Sequence, residues 1–144
     1  MAIPDSGPYL NAALLCENIL QEQDGTLSII RMIDRITLTA PASSSPEALP
    51  PLPFSCNLLL AFKSGSARGK STVKLKIETP SGIKLPEQLL PVLFEGDDRG
   101  VNLNLALNIV IDQEGVYWFE ILLEEEFLTR VPLRVLYQRV GLSM

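Results

Sequence analysis

Residues 101–111 read VNLNLALNIVI, and the fold follows from how they alternate. Val101, Leu103, Leu105, Leu107, Ile109 and Ile111 fall on one side of an extended chain, and Asn102, Asn104 and Asn108 fall on the other. A period of two is that of a strand with one face in a core and one in water. The same pattern runs on both sides of this stretch. FSCNLLLAF (54–62) puts Phe54, Cys56, Leu58, Leu60 and Phe62 together, and STVKLKIET (71–79) puts Val73, Leu75 and Ile77 inward with Lys74 and Lys76 outward. VYWFEILL (116–123) groups Tyr117, Phe119, Ile121 and Leu123, which leaves Trp118 on the outward side with Glu120. FLTRVPLRVLY (127–137) groups Phe127, Val131, Leu133, Val135 and Tyr137. Pro132 has no N–H to give a ladder, so this last strand is expected at a sheet edge or with a bulge.

The first third is less regular. LNAALLCENIL (10–20) also fits a short helix, but the Asp-Gly turn chemistry of QEQDGT (21–26) before LSIIRMIDRITL (27–38) favours two strands in a hairpin. PASSSPEALPPLP (41–53) carries five prolines and no periodicity. Too little chain precedes it for a separate core, so it reads as a stiff crossover connection within one domain spanning 1–144. With about seven or eight strands, each having a single apolar face to cover, the expected fold is all-β: a two-sheet antiparallel β-sandwich.

Composition excludes several classes of function. Apolar residues make up 47% of the 144 and charged residues 20%, the balance of a folded chain. Twelve Lys and Arg against 17 Asp and Glu disfavour nucleic acid and an acidic membrane surface. There is no signal-peptide pattern and no long apolar run, so a soluble cytoplasmic protein is expected. Cys16 and Cys56 sit among apolar neighbours and read as two buried thiols. Histidine is absent. Ser-His-Asp and Cys-His machinery and His-ligated metals are thereby excluded, and no cofactor is expected.

KSGSARGKST (63–72) invites comparison with a phosphate-binding loop. That motif needs four residues between its first Gly and Gly-Lys-Ser, and a helix after them. Only three residues separate Gly65 from Gly69, and a strand pattern follows. The stretch reads instead as a basic hairpin loop presenting Lys63, Arg68 and Lys70. Carboxylates gather in FEGDDRG (94–100), IDQEG (111–115) and LEEEF (123–127). A strand over 101–111 is about 35 Å long, so Asp98 and Asp112 lie at opposite ends. If every strand crosses the sandwich, one end collects Glu22, Asp24, Asp97, Asp98, Glu124, Glu125 and Glu126 with the basic loop. Ligand or partner contact is expected there, at Lys63, Arg68, Lys70, Asp97, Asp98, Glu124, Glu125 and Glu126, with no metal site and no catalytic residue. The Asn row of 101–111 is a second polar surface, since Asn is a poor strand former.

Asp112, Gly115 and Tyr117 resemble the tyrosine corner of immunoglobulin-like sandwiches, with Phe119 where an antibody domain has its second Cys. Over nearly its full length the chain resembles a family of uncharacterised prokaryotic β-sandwich proteins, immunoglobulin-like or C2-like. AALLCENI (12–19), LSIIRMID (27–34), GVYWFEILL (115–123) and VPLRV (131–135) carry that likeness. The resemblance implies the fold and brings no activity with it. The expected function is a non-catalytic binding or accessory domain that recognises a protein partner. The alternative is a small-ligand or Ca²⁺-binding module at the charged end, and a hydrolase using Asp97 or Asp98 with Lys70 ranks last. A homodimer closed through an open sheet edge is a further expectation.

Overall fold

The computed structural model describes residues 7–43 and 46–141. Seven strands follow one another: β1 (Tyr9–Gln21), β2 (Leu27–Ile33), β3 (Arg35–Pro41), β4 (Leu52–Glu78), β5 (Gln88–Ile111), β6 (Gly115–Leu123) and β7 (Glu126–Val140). The hairpin expected near the N-terminus is β1–β2. Asp24 builds its turn, accepting from Thr26 N at 3.0 Å and Thr26 Oγ1 at 2.6 Å, while Gly25 supplies a φ of 88°. These bonds hold the Asp24 carboxyl below its ordinary range.

The ladders join all seven strands in a single sheet of order β2-β1-β4-β6-β7-β3, with β5 also paired to β4. Two separate sheets were expected, and β4 and β5 explain the difference. The sequence reads as one strand over 54–62 and another over 71–79 with a hairpin loop between them. In the structure β4 runs straight through 63–70, because β5 follows it along its whole length and gives its backbone partners. What looked like a loop is a bend. Register shifts fall between Lys63 and Gly65 and between Gly65 and Arg68, opposite Gly96 and Asp97 of β5. Gly65, Gly69, Gly96 and Asp97 all have positive φ there. The first half of β4 pairs with β1 and with 100–111 of β5, and the second half with β6 and with 88–95 of β5. At the other side of the molecule Asp34 alone separates β2 from β3, the two ends of the strand order. One pairing departs from the antiparallel expectation: β3 and β7 run parallel, which the long 42–51 connection to β4 permits.

Both halves of this folded sheet feed one core. Leu58, Leu60, Phe62, Leu105 and Leu107 of one half join Val73, Leu75, Ile77, Tyr117, Phe119 and Ile121 of the other. Phe62 and Phe94 meet edge to face at 5.9 Å. Each buried aromatic or aliphatic side chain of this kind contributes about 1.5–3 kcal/mol. Ser64, fully buried at the bend, donates to Arg99 O at 2.8 Å and accepts from Glu95 N at 3.2 Å. Its hydroxyl satisfies the backbone groups that the bend takes out of the ladder.

One inward assignment needs correction. Phe127 is 54% exposed, because Leu128 is an extra residue between the pairs Ile121↔Thr129 and Leu122↔Phe127. This bulge turns Leu128 toward the core and Phe127 away from it. Cys16 is buried but lies outside the core cluster, on the face of β1 opposite Leu15, whereas Cys56 is inside the cluster. Both thiols are free, and burial pushes Cys56 up to about 11.

Pro132 sits on the part of β7 that β3 does not reach, since their pairing begins at Arg134. No ladder bond is lost on that side, so the edge requirement is met locally. The proline-rich connection packs back on the sheet, with Leu49 buried and Tyr137 Oη donating to Pro46 O at 2.8 Å. Ser44 and Ser45 fall outside the described residues. Among the described residues no helix is long and apolar enough to cross a membrane.

Candidate functional site

The charged residues singled out from the sequence do meet at the bend, though on strands instead of loops. Arg68 on β4 crosses to β5, donating from Nη1 to Glu95 O at 3.0 Å and from Nη2 to Asp97 Oδ2 at 3.2 Å. Its guanidinium lies where a Cβ on Gly96 would be, so only glycine lets it cross. Lys63 Nζ donates to Asp98 O at 3.3 Å, and Arg99 pairs with Glu95 at 3.1 Å. Both partners of the Arg68–Asp97 and Arg99–Glu95 pairs are more than half exposed, so each contributes little to stability.

The β6–β7 turn completes the corner. Glu124 and Glu125 have φ of 47° and 69°, a left-handed pair that hairpins ordinarily assign to Asn-Gly. Their side chains hold the turn against β4. Glu124 Oε1 accepts from Ser71 Oγ at 2.9 Å and Thr72 N at 2.7 Å, and Glu124 N donates to Thr72 O at 3.0 Å. Glu125 takes a hydrogen bond from Lys74, which raises the Lys74 ammonium and lowers the Glu125 carboxyl from their ordinary values. Glu87 stands 3.6 Å from the same ammonium. Arg68, Lys70, Ser71, Glu124 and Glu126 line a shallow hollow of about 270 Å³ floored by Phe94 and Leu123.

Glu22 and Asp24 do not belong to this corner. Tyr9 pairs with Lys63, and Gln21 lies twelve residues further along β1, about 40 Å away. Three of the remaining carboxylates are occupied: Asp97 by Arg68, Glu124 by Ser71 and Thr72, and Glu125 by Lys74. Among the described residues no group of three His, Cys, Asp or Glu is placed to hold a metal ion.

Beside the corner lies a feature that no sequence signal marked. Leu89, Lys74, Leu122 and Phe127 stand directly opposite one another across β5, β4, β6 and β7. They form one row on the outward face. Leu89 and Phe127 are 64% and 54% exposed, and Leu93, two pairs further along opposite Lys70, is 52% exposed. Next along this face, Arg130 lies over the Trp118 ring at 4.1 Å. Strand alternation alone put Phe127 in the core, and only the bulge at Leu128 brings it into this row.

At the far end of the molecule Tyr117 forms the expected corner. Its buried hydroxyl accepts from Asp112 N at 3.1 Å and Gln113 N at 3.2 Å and donates to Asp112 Oδ1 at 3.4 Å. Burial raises the phenol above its ordinary value. Next to it, Ile77, Ile83, Leu85, Ile109 and Val110 line a mostly apolar hollow of about 470 Å³. Two of the polar groups at its rim are already engaged, Gln113 by Ser81 N and Thr79 by Ile83 N.

Residues 11–136 match the model of a family of unknown function (DUF6941). No curated protein matches the chain in sequence. Among the solved structures that resemble it are two that match over 92% of its length at 9% identity. One is a β-glucosidase from Listeria innocua in complex with glucose, with a TM-score of 0.50. The chain spans 17% of that protein, and the likeness is one of fold alone. The other is an immunoglobulin-like protein from Pseudomonas aeruginosa, 98% covered, with a TM-score of 0.40.

Proposed function

The chain belongs to this family of unknown function, and from that premise we propose that it is a non-catalytic recognition domain whose partner is a protein. Leu89, Leu93 and Phe127, exposed on one face with the covered Leu122 and Lys74 between Leu89 and Phe127, are the observation that carries the reading. Large apolar side chains left together in water and rimmed by charge are the usual mark of a protein contact. Lys70, Glu125 and Glu126 supply the rim, which would orient a partner while the apolar row supplies the affinity. A framework held by Ser64, by the Glu124 turn and by the Tyr117 corner keeps the row rigid. In this reading the two halves of the folded sheet act as the layers of an immunoglobulin-like sandwich, a scaffold that the Tyr117 corner supports.

The test compares the tagged protein with a Leu89→Asp, Phe127→Asp variant and with a Gln23→Asp control, on the exposed β1–β2 turn, in pull-downs from source-cell lysate. A protein retained by the wild type and the control but lost from the double variant supports the proposal. A partner held equally by all three would refute it, as would a lysate from which the wild type retains nothing specific. The alternative, an ion or small ligand at the charged corner, predicts a melting temperature that rises with Ca²⁺. No rise is expected, since Asp97, Glu124 and Glu125 are already engaged with Arg68, Ser71, Thr72 and Lys74, and no group of three carboxylates among the described residues is placed to hold an ion.

A further inference from the structure

The strand order leaves backbone edges on β2, on β3 and along both arms of β5. Open edges invite pairing with other chains, and folded proteins blunt them with kinks, prolines, charges or cover. On β2, Arg31 breaks the strand with a φ of 55° and carries a charge paired to Glu17. On β3, Pro46, Pro50 and Pro51 of the proline-rich connection stand beside Leu38, Thr39 and Ala40 around a shallow hollow. On the first arm of β5, Pro91 removes a donor. The second arm has no kink, proline or charge of its own, and the 83–88 segment faces its 108–110 end across an open hollow. From 101 to 111 it holds no proline, no charge and no positive φ, and it pairs with β4 without a register shift.

We propose that this edge is closed by a second copy of the chain, with two β5 strands pairing antiparallel about a two-fold axis at Ala106. Self-complementarity points to a second copy over a foreign strand. With the axis at Ala106, Asn104 of one copy stands opposite Asn108 of the other, and each amide both donates and accepts. The small Ala106 side chain occupies the axis, where two identical residues come closest. Past the end of β5 at Ile111, Arg99 of one copy comes beside Asp112 and Glu114 of the other while Asp98 comes opposite Glu114, so the ends of the ladder carry charge of both signs. Moving the axis one residue to Leu105 would set two leucines, in place of two alanines, where identical residues come closest. Pairing at Ala106 also continues the inward row across the junction, covering Val101, Leu103 and Ile109, which are only half-buried in the single chain. The Asn row, an unusual content for a strand, becomes the outward face of a continuous sheet.

Sedimentation equilibrium on the full chain should give twice the chain mass for the wild type and the single chain mass for Ala106→Lys, which puts two ammonium groups at the axis. Ala106 is exposed in the single chain, so circular dichroism of the variant should match the wild type. Ala106→Cys provides an independent reading. Directly opposed residues lie about 4.5–5.5 Å apart between Cα atoms, within disulfide reach, so oxidation should link most of this variant into covalent dimers. Asn102→Cys should stay unlinked, since its counterpart lies about 27 Å away. A wild type of single mass, an Ala106→Lys variant of double mass, or equal cross-linking of the two cysteine variants overturns the proposal. Phe127→Asp should leave the doubled mass unchanged, which separates this interface from the partner surface proposed above.

Discussion

The two arms of β5 share a strand and a partner yet present themselves to solvent in opposite ways. On the first arm, Leu89, Pro91 and Leu93 point outward, so the face is apolar while the proline blocks the edge. On the second arm, Asn102, Asn104 and Asn108 point outward, so the face is polar while the edge is open. One arm is suited to bind through side chains and the other through backbone. A strand bent by bulges at 65–68 and 96–97 can therefore offer two surfaces of different chemistry from one hydrogen-bonded ribbon.

This contrast depends on a rigid core beneath both arms. Phe119→Ala should cost about 3–5 kcal/mol in chemical denaturation, because a fully buried ring leaves a cavity that neither half of the sheet can fill. A loss under about 1 kcal/mol would mean that the two halves do not share one core. The next largest effect is expected where the arms part. Ser64→Ala should cost about 1–3 kcal/mol, leaving Arg99 O and Glu95 N without their buried partner. Hydrogen exchange at 95–100 should quicken in that variant, and unchanged exchange would show that the bend holds without the hydroxyl.

Pro91→Val sharpens the comparison directly. It restores a donor to the first arm beside an apolar face, and self-association beyond the wild-type state should appear in sedimentation while stability changes by no more than about 0.5 kcal/mol. If association is unaltered, the proline is not what protects that edge. The smallest effect is expected in alkali. Cys56, raised by burial to about 11, and Tyr117, raised by burial as well, both favour the protonated form in the folded state. Their contribution is complete below the ordinary thiol value near 9 and is lost as pH rises through about 11. Cys56→Ala should flatten that limb of the stability curve, and an unchanged limb would assign the fall to other groups.

Much of this architecture was legible in the residues themselves. The alternation of 101–111, the Asp-Gly turn at 24–25 and the Asp112–Tyr117 corner are local patterns, and each appears where local chemistry puts it. The charged corner was legible in part: Lys63, Arg68, Asp97 and Asp98 meet, as do Lys70, Glu124 and Glu126. Glu22 and Asp24 were grouped with them by counting strand crossings. That count failed because β4 and β5 are each one long bent strand in place of two short ones. Ser64 gave no signal, since a serine among glycines reads as turn material until its neighbours on β5 are known.

The sequence by itself determined which residues face inward along the regular stretches of strand, because a two-residue period is a property of the extended backbone alone. It determined the all-β class for the same reason. The tertiary structure decided what the glycines at 65, 69 and 96 mean, making them bends within a paired ribbon. It also decided that Phe127 faces water and that one arm of β5 ends as an open edge. A bulge or an edge is defined by the strand opposite, which lies about 30 residues away at the bend, and no local pattern carries that information.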